Sequence, residues 1–272
     1  MGSNDVAPPH VPSHVVPTCT FLLQIGGSLW TLCYILLWRQ SILTRTYGMP
    51  LFALAFNFAW EVIYALFVAE ALLERIVFGV WLLLDFGMVW GALKYGRSEW
   101  EHSPFMKRNL GKVIFVMTLY CAVGHWAFAK WWIDNDIGKR EGKFYRGVVG
   151  PDTTELGFWS AAVSQAYLSA ASLGQLLLRQ HSGGVSWGVW ATRAVGSLTG
   201  MYLNYGWAWY FWGEAHEYFM SPFGIFLWST GLLCDLIYPF VLYRVQKTEK
   251  VLPDGSRARA DPRNQKRVAK DP

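Results

Sequence analysis

The chain has 272 residues, of which 53% are hydrophobic and only 16% are charged. A soluble domain would carry about 25% charged residues, so the composition excludes an ordinary soluble protein. The formal charge of +5 lies mostly in loops and in the C-terminal segment, which indicates membrane topology and argues against a nucleic-acid-binding surface.

The first 18 residues contain no Lys or Arg. They lack the basic region that begins a cleavable signal peptide, so we expect the first membrane span to act as the targeting signal. We predict that residues 1–18 form a tail on the lumenal side of the membrane.

Apolar windows of about 20 residues recur along the chain, and each is long enough to cross the ~30 Å hydrocarbon layer as a helix. The sequence therefore predicts an all-α, polytopic membrane protein with seven transmembrane helices in residues 19–243, followed by a basic cytoplasmic tail, 244–272. The predicted spans are Cys19–Trp38, Pro50–Glu70, Leu72–Leu93, Leu110–Trp132, Glu155–Leu178, Ala194–Trp212 and Pro222–Tyr243.

The distribution of Lys and Arg predicts the orientation of these spans. With a lumenal N-terminus, eighteen of the 24 Lys and Arg residues fall on the cytoplasmic side, as the positive-inside rule requires. Seven spans then place the C-terminus in the cytoplasm, whereas six would not. We predict an integral protein of the endoplasmic reticulum membrane with that orientation.

Three carboxyl groups interrupt the apolar windows: Glu61 in NFAWEVIYALF, Asp85 in VWLLLDFGMVW and Asp235 in GLLCDLIYPFV. An ionised side chain at such depth costs several kcal/mol, so acids in these positions usually face the protein interior and serve chemistry or transport. Counted from the cytoplasmic ends of the spans, Glu61 lies about 16 Å deep and the two Asp residues about 12 Å. The sequence thus predicts that all three occupy one layer.

Each acid shares a helical face with aromatic or polar side chains, because residues three, four or seven apart lie on one face. An individual mid-span Trp or Tyr more often packs than binds, and only the coincidence with the acids singles these residues out. The candidate substrate-binding residues are Asn57, Trp60, Tyr64, Phe78, Trp81, Asn204, Trp207, Trp228 and Tyr238.

Two short matches suggest an internal repeat. NFAW at 57–60 recurs as NYGW at 204–207, and WLLLD at 81–85 resembles GLLCD at 231–235. A repeat of three spans, a linker span and three further spans would explain both, and repeats of this kind occur in transporters. A proton-coupled small-solute transporter is therefore an alternative function.

The residue chemistry itself favours an acid-catalysed reaction. Burial in an apolar pocket favours the neutral, protonated form of a carboxyl group, which can then act as a general acid. Aromatic faces attract cations. An acid facing an aromatic cavity in the membrane suits protonation of an epoxide or olefin in a polyprenyl chain, with shelter for the carbocation while rings close.

Sequence signals for metal or cofactor binding are weak. There is no DDxxD-type or NDxxD run that would hold Mg²⁺ against a diphosphate. Asp134 and Asp136 resemble a DxD motif, but they lie in a predicted lumenal loop among Lys and Arg residues, where a solvated turn is expected. The four cysteines have no CxxC spacing and are expected to be small core residues. We expect no metal and no other cofactor.

The segments NFAWEVIYALF, WLLLDFG, KYGRSEWEHSP and LLCDLIYP make the chain resemble the fungal integral-membrane terpene cyclases of meroterpenoid and indole-diterpene biosynthesis, which include the paspaline-type epoxyprenyl cyclases. The resemblance covers residues 19–243. It implies cyclisation of an epoxidised farnesyl or geranylgeranyl chain on an aromatic or polyketide headgroup, in a membrane shared with an upstream prenyltransferase and epoxidase. It assigns the family's two essential acids to Glu61 and Asp235, with Asp85 in support or proton exchange.

The sequence also allows purely structural roles for these polar residues. Glu61 and Asp235 could each hold two helices together through a hydrogen bond, and Asp85 could pair with an arginine such as Arg193. His125 lies away from the acid layer and is expected to be a hydrogen-bonded residue of the bundle.

Overall fold

The computed structural model describes residues 4–260, so residues 261–272 of the predicted basic tail lie outside the described range. Helices dominate this part of the chain, and the only strands described in it form two short antiparallel pairs. The helices are α1 (Val15–Thr44), α2 (Leu51–Ile63), α3 (Leu72–Tyr95), α4 (Pro104–Asp134), α5 (Thr153–Arg179), α6 (Trp187–Ser197), α7 (Asn204–Phe211), α8 (Gly213–His216) and α9 (Pro222–Thr248). The strands are β1 (Phe144–Tyr145) paired with β2 (Val148–Val149), and β3 (Lys250–Val251) paired with β4 (Arg257–Ala258).

Five helical segments within residues 4–260 are long and apolar enough to cross a membrane. They correspond to α1, α2 with its continuation, α3, α4 and α9, which agrees with the predicted all-α membrane protein. The predicted spans at α5 and at α6–α7 are not among these five, so the count of seven spans stays a prediction.

Side-chain caps explain where several helices begin. The side chains of Asp152, Ser186 and Ser221 accept hydrogen bonds from backbone N–H groups in the first turns of α5, α6 and α9, and such caps stabilise a helix start. The helix that contains the start of the sixth predicted span begins at Trp187, seven residues before Ala194.

Two π-helical segments interrupt the regular helices. Tyr64–Val68 continues α2, and Leu198–Leu203 joins α6 to α7. The second segment packs closely on α1, since a Cβ atom added to Gly26 would lie 2.4 Å from the Gly200 Cα. Only glycine at these positions allows the two backbones to come so close. π-helical turns often lie at functional sites.

Helix α1 lies beside α3, and the two run in the same direction. Trp81 of α3 donates a hydrogen bond from its indole nitrogen to the Thr31 hydroxyl of α1, at 2.8 Å. Ten residues further along each helix, Ser41 meets Gly91. Helix α2 runs antiparallel to both and brings its polar residues between them, while α5 packs along α9.

The N-terminal segment is tied to the loop between α4 and α5. Asp5 and Asp152 each form an ion pair with the fully buried Lys143, at 2.8 and 3.0 Å. The Val6 N–H also donates to the Gly142 carbonyl, at 2.8 Å. Part of the predicted N-terminal tail is therefore ordered against the fold, and its last residues, from Val15, belong to α1.

Candidate active site

A cavity of about 600 Å³ lies inside the bundle, walled by α1, α2, α3, α5 and α6 with the π-helical segment that follows it. Its lining is mostly apolar and aromatic. Four of the predicted substrate-binding residues contribute to it: Asn57, Trp60, Phe78 and Trp81. This volume falls in the range of small-molecule sites in proteins.

The aromatic part of the lining is a connected set of rings. Phe78 meets both Trp60 and Trp81 edge to face, with ring centroids 5.2 and 5.7 Å apart. Tyr64 stacks on Trp60 at 4.8 Å from behind and is itself fully buried. The Trp60 indole N–H donates to Ser160 at 3.0 Å, which fixes the orientation of the ring.

Glu61 and Asp85 come together in a buried polar cluster, although they lie on different helices. Both are fully buried. The Asn57 side-chain amide donates to Glu61 Oε1 at 3.1 Å and to Asp85 Oδ2 at 3.2 Å. The Tyr34 hydroxyl of α1 donates to the same Glu61 oxygen at 2.7 Å.

The remaining oxygens of this cluster point to a shared proton. Glu61 Oε2 and Asp85 Oδ1 are buried and accept no hydrogen bond from any other group in the described residues. Both carboxyl groups contact the same Asn57 amide nitrogen, so the two acids share one buried site. Two acids that share a site do not readily ionise together, and one hydrogen between them satisfies both oxygens. A cluster of this kind can hold one carboxylic acid beside one carboxylate.

Tyr34 and Asn57 separate this acid pair from the cavity. Within residues 4–260, both of these side chains belong to the cavity lining, whereas neither carboxyl group does. Asn57 also donates to the Tyr34 hydroxyl, at 2.6 Å. A hydroxyl group both donates and accepts hydrogen bonds, so Tyr34 can connect Glu61 to a molecule in the cavity. Tyr34 is not among the residues predicted from the sequence, because one sequence does not show which residue of α1 contacts Glu61 of α2.

Asp235 lies in a different polar cluster. The Arg193 guanidinium forms an ion pair with Asp235 Oδ1 at 2.8 Å, and both side chains are about 5% exposed. The Gln165 amide donates to Asp235 Oδ2 at 3.3 Å. Arg193 therefore pairs with Asp235 rather than with Asp85, its suggested partner from the sequence.

The structure joins Glu61 to Asp85 rather than to Asp235. Gln165 nevertheless belongs to the cavity lining, so the cavity touches hydrogen-bond partners of both clusters. Tyr34 and Asn57, which hydrogen-bond to Glu61, line one wall of the cavity. Gln165, which hydrogen-bonds to Asp235, lines another.

The other five predicted substrate-binding residues lie outside the cavity lining in the described part of the chain, and Tyr64, which stacks on Trp60, is one of them. Helical periodicity gives the face that a residue occupies on its own helix but not the neighbour which that face meets. Asn204 donates to the Gly200 carbonyl, Trp207 packs on His14 and Phe211, Trp228 donates to the Phe219 carbonyl, and Tyr238 lies under the Arg193 guanidinium.

The histidine, the DxD residues and the cysteines considered from the sequence lie outside the cavity lining in the described residues. His125 lies 3.2 Å from the Phe56 carbonyl, within the bundle. Asp134 and Asp136 are exposed and pair with Lys130 and Lys139. The four cysteines are free.

Comparisons with known proteins identify relatives for nearly the whole chain. The family of Pyr4-like transmembrane terpene cyclases matches residues 3–248. The terpene cyclase ascF of Acremonium egyptiacum is 44% identical over 254 residues, which cover 93% of this chain and 91% of the relative. The Pyr4-family terpene cyclase mfmH of Annulohypoxylon moriforme is 33% identical, covering 84% and 87%, and the terpene cyclase paxB of Penicillium paxilli is 32% identical, covering 90% and 93%. No solved structure matches the chain.

Proposed function

The chain belongs to the Pyr4-like transmembrane terpene cyclase family, and from that premise we propose that it cyclises an epoxidised polyprenyl chain by protonating the epoxide without a metal ion. The substrate carries an aromatic or polyketide headgroup, as in meroterpenoid and indole-diterpene precursors. The alternative of a solute transporter is set aside, because this family consists of cyclases.

The observation that carries the proposal is the buried acid pair behind Tyr34 at the wall of an aromatic cavity. Glu61 and Asp85 are fully buried, and in this proposal they share one proton. The Tyr34 hydroxyl lies between the two acids and the cavity. A general acid must lie within hydrogen-bonding reach of its target, directly or through one intervening group. The Tyr34 hydroxyl meets this requirement for an epoxide placed in the cavity.

The proposed first step delivers one proton to the epoxide through Tyr34 and breaks one C–O bond. The Tyr34 hydroxyl turns to the epoxide and gives its hydrogen to the epoxide oxygen, while it takes the hydrogen of neutral Glu61, carried for this step on Oε1, the oxygen 2.7 Å away. The C–O bond at the more substituted carbon breaks, its electron pair stays on oxygen, and a hydroxyl group and a carbocation result. The cluster, which held one proton on two carboxyl groups, is then left with two carboxylates.

Ring closure follows from the carbocation and restores the acid. Each neighbouring double bond attacks the cation, forms a C–C bond and moves the positive charge along the chain. The faces of Trp60, Phe78 and Trp81 can stabilise these cations through their ring quadrupoles. Loss of a proton from the last cation, or its capture by a hydroxyl group that then loses its proton, ends the reaction. The proton that is released returns the cluster to its starting state, so no oxidant or reductant is consumed.

Within this proposal Asp235 acts through Gln165 and Arg193. A carboxylate in an ion pair with arginine has no proton to give, since the guanidinium stays charged. Its hydrogen bond to Gln165 can instead fix an amide group at the cavity wall. We therefore assign the initiating proton to the pair of Glu61 and Asp85, and a positioning role to Asp235.

Glu61→Gln tests the source of the proton. This variant keeps the size and the hydrogen bonds of the side chain but cannot supply the proton, so we expect cyclisation in microsomes to fall below detection at unchanged protein level. Glu101→Gln is the matched control, because Glu101 is exposed and pairs only with Lys107. Full activity of the Glu61 variant would refute the assignment.

Reaction in D₂O separates epoxide opening from olefin protonation. A proton on oxygen exchanges with solvent, whereas a proton on carbon does not. We expect product without carbon-bound deuterium from the first step. Deuterium on the carbon where cyclisation starts would show that an olefin is protonated instead.

The topology completes the proposal. Seven spans with a lumenal N-terminus would place the protein in the endoplasmic reticulum membrane, beside the prenyltransferase and epoxidase that must supply its substrate. Protease treatment of sealed microsomes should remove a C-terminal tag and leave an N-terminal tag intact. The opposite pattern would reverse the orientation.

A further inference from the structure

The cavity reaches the surface of the bundle between the third turn of α1 and the first turn of α3. Leu23 and Leu73 belong to the cavity lining and are 49% and 60% exposed. Gln24 and Glu74 lie next to them and also line the cavity. These four residues define the mouth of the cavity.

Polar side chains of α1 follow the cavity inward from this mouth. Gln24, Ser28, Thr31 and Tyr34 all line the cavity, and their spacing places them along one side of the helix. The distance from Gln24 to Tyr34 is ten residues, or about 15 Å along the helix axis. The stripe thus connects the mouth to the acid cluster.

The two ends of this stripe differ in their hydrogen bonding. Thr31 receives the hydrogen of Trp81, and Tyr34 is bonded to Glu61 and Asn57. Gln24 and Ser28 are exposed at the open side of the cavity and have no side-chain hydrogen bond to any group in the described residues. Polar groups in an apolar span cost free energy when they lack partners, so the two side chains nearest the mouth are suited to a polar ligand.

We propose that Gln24 and Ser28 bind the polar headgroup of the substrate, an aromatic ring that carries hydroxyl or carbonyl groups. The Gln24 amide and the Ser28 hydroxyl both donate and accept hydrogen bonds, which matches phenolic and carbonyl oxygens. The prenyl chain then extends inward, and the epoxide at its far end meets Tyr34. This inference rests on the proposed function and adds the site that sets the direction of the substrate.

The role predicts a particular kinetic signature. Headgroup contacts lie far from the reacting bond and are made equally in the ground state and the transition state, and loss of such binding raises KM at constant kcat. Each lost hydrogen bond is worth about 1 kcal/mol. The double variant Gln24→Leu, Ser28→Ala should therefore raise KM about ten-fold or more and leave kcat within about two-fold.

The test uses an epoxyfarnesyl resorcinol and its dimethyl ether, which cannot donate hydrogen bonds. Wild type should show the lower KM for the resorcinol, and the double variant should lose that preference. Thr20→Val is the matched control: Thr20 lies one turn from Gln24, is exposed, and donates to the Val16 carbonyl of its own helix. Unchanged KM in the double variant, or an equal fall in kcat with both substrates, would overturn the headgroup site while leaving the cyclase assignment intact.

A binding measurement keeps the inference independent of turnover. Farnesyl resorcinol without the epoxide cannot react by epoxide opening, and a ligand that binds the folded protein raises its Tm. It should raise the Tm of wild type and of Thr20→Val but not that of the double variant. An equal rise in all three would refute the site. If wild type turned over neither epoxide, the proposed function would fail, whatever this measurement shows.

Discussion

Tyr34 and Asn57 both line the cavity and hydrogen-bond to the buried acid pair, but of the two only Tyr34 carries a hydroxyl group, which can donate one proton and accept another. Its hydroxyl lies 2.7 Å from Glu61 Oε1 and is held by the Asn57 amide. The proposed proton route therefore depends on one oxygen atom. Removing it leaves the ring, the cavity and the acid pair in place, which makes Tyr34 a precise site for a test.

Tyr34→Phe should lower kcat by about a hundred-fold or more with little change in KM, since general acid catalysis contributes that much. Product analysis and initial rates in microsomes measure the effect. Tyr202→Phe is the control, because the Tyr202 hydroxyl is also buried, has no hydrogen bond in the described residues and lies outside the cavity lining. Wild-type activity of Tyr34→Phe would mean that Glu61 reaches the substrate directly.

The ion pair of Arg193 with Asp235 gives a second prediction for single residues. Arg193→Met leaves a buried carboxylate without its cation, and breaking a buried pair in this way costs about 3–5 kcal/mol. Thermal unfolding in detergent should show the loss, and the double variant Arg193→Met, Asp235→Leu should recover much of it. Equal stability of the single and double variants would contradict the pairing.

At the level of single residues, the sequence identified the acids but not their partners. Glu61 and Asp85 stand out because charged residues are rare in apolar windows. Tyr34 does not stand out, because tyrosines are common in this chain and most of them pack. Trp207 and Trp228 were expected near the substrate, yet each meets its own neighbours. The packing of the helices against one another decides which residues these side chains contact. A single sequence does not show that packing.

At the level of elements, the close contact between α1 and the π-helical segment shapes one wall of the cavity. Gly26 and Gly200 both line the cavity and meet backbone to backbone. A methyl group on Gly26 would clash with main-chain atoms of Gly200 and Gly196, which cannot move aside as a side chain could. The two elements must therefore separate if either glycine is replaced.

Gly26→Ala should destabilise the protein by about 1–3 kcal/mol through overpacking, despite the better helix propensity of alanine. Gly79→Ala is the matched control, because a Cβ atom at Gly79 meets nothing within 4 Å. Thermal unfolding of both variants in the same detergent measures the difference. A Gly26 variant as stable as the Gly79 variant would show that the contact is not close in the folded protein.

The long helices could be predicted from the sequence, but their ends and interruptions could not. Apolar windows of about 20 residues are a strong signal, and α1, α3 and α4 follow from them. These helices run past the predicted ends, since the backbone hydrogen bonds of a helix continue beyond the apolar window that marks its span. The π-helical segments carry no comparable sequence signal, since they arise from contacts with other helices.

At the level of the whole molecule, buried polar groups hold the segments outside the main helices. Lys143 is fully buried between Asp5 and Asp152 and lies 4.9 Å from the centroid of the Trp212 ring. The N-terminal segment, the α4–α5 loop and the end of α7 thus meet at one cation. His216 of α8 lies nearby, buried, 2.6 Å from the Tyr218 hydroxyl.

His216 makes stability depend on pH. Burial, aided by the positive charges of Lys143 and Arg140, lowers the pKa of His216 to about 2, whereas an unfolded histidine has a pKa of about 6.5. Below about pH 6.5 the unfolded chain binds a proton that the folded protein does not, so stability falls as pH falls, by up to about 1.4 kcal/mol per pH unit. The Tm should drop between pH 7.5 and 5.5, and less so in His216→Gln. An equal drop in both proteins would assign the effect to other groups.

The position of the mouth between α1 and α3 decides how the reactant arrives. Leu23 and Leu73 lie at a lateral opening of the cavity, on two helices that can cross the membrane. An apolar molecule can therefore diffuse in from the surrounding leaflet without passing through water. The enzyme then responds to the mole fraction of its reactant among the lipids rather than to its bulk concentration. Extra phospholipid at a fixed total amount of reactant would slow the reaction by surface dilution.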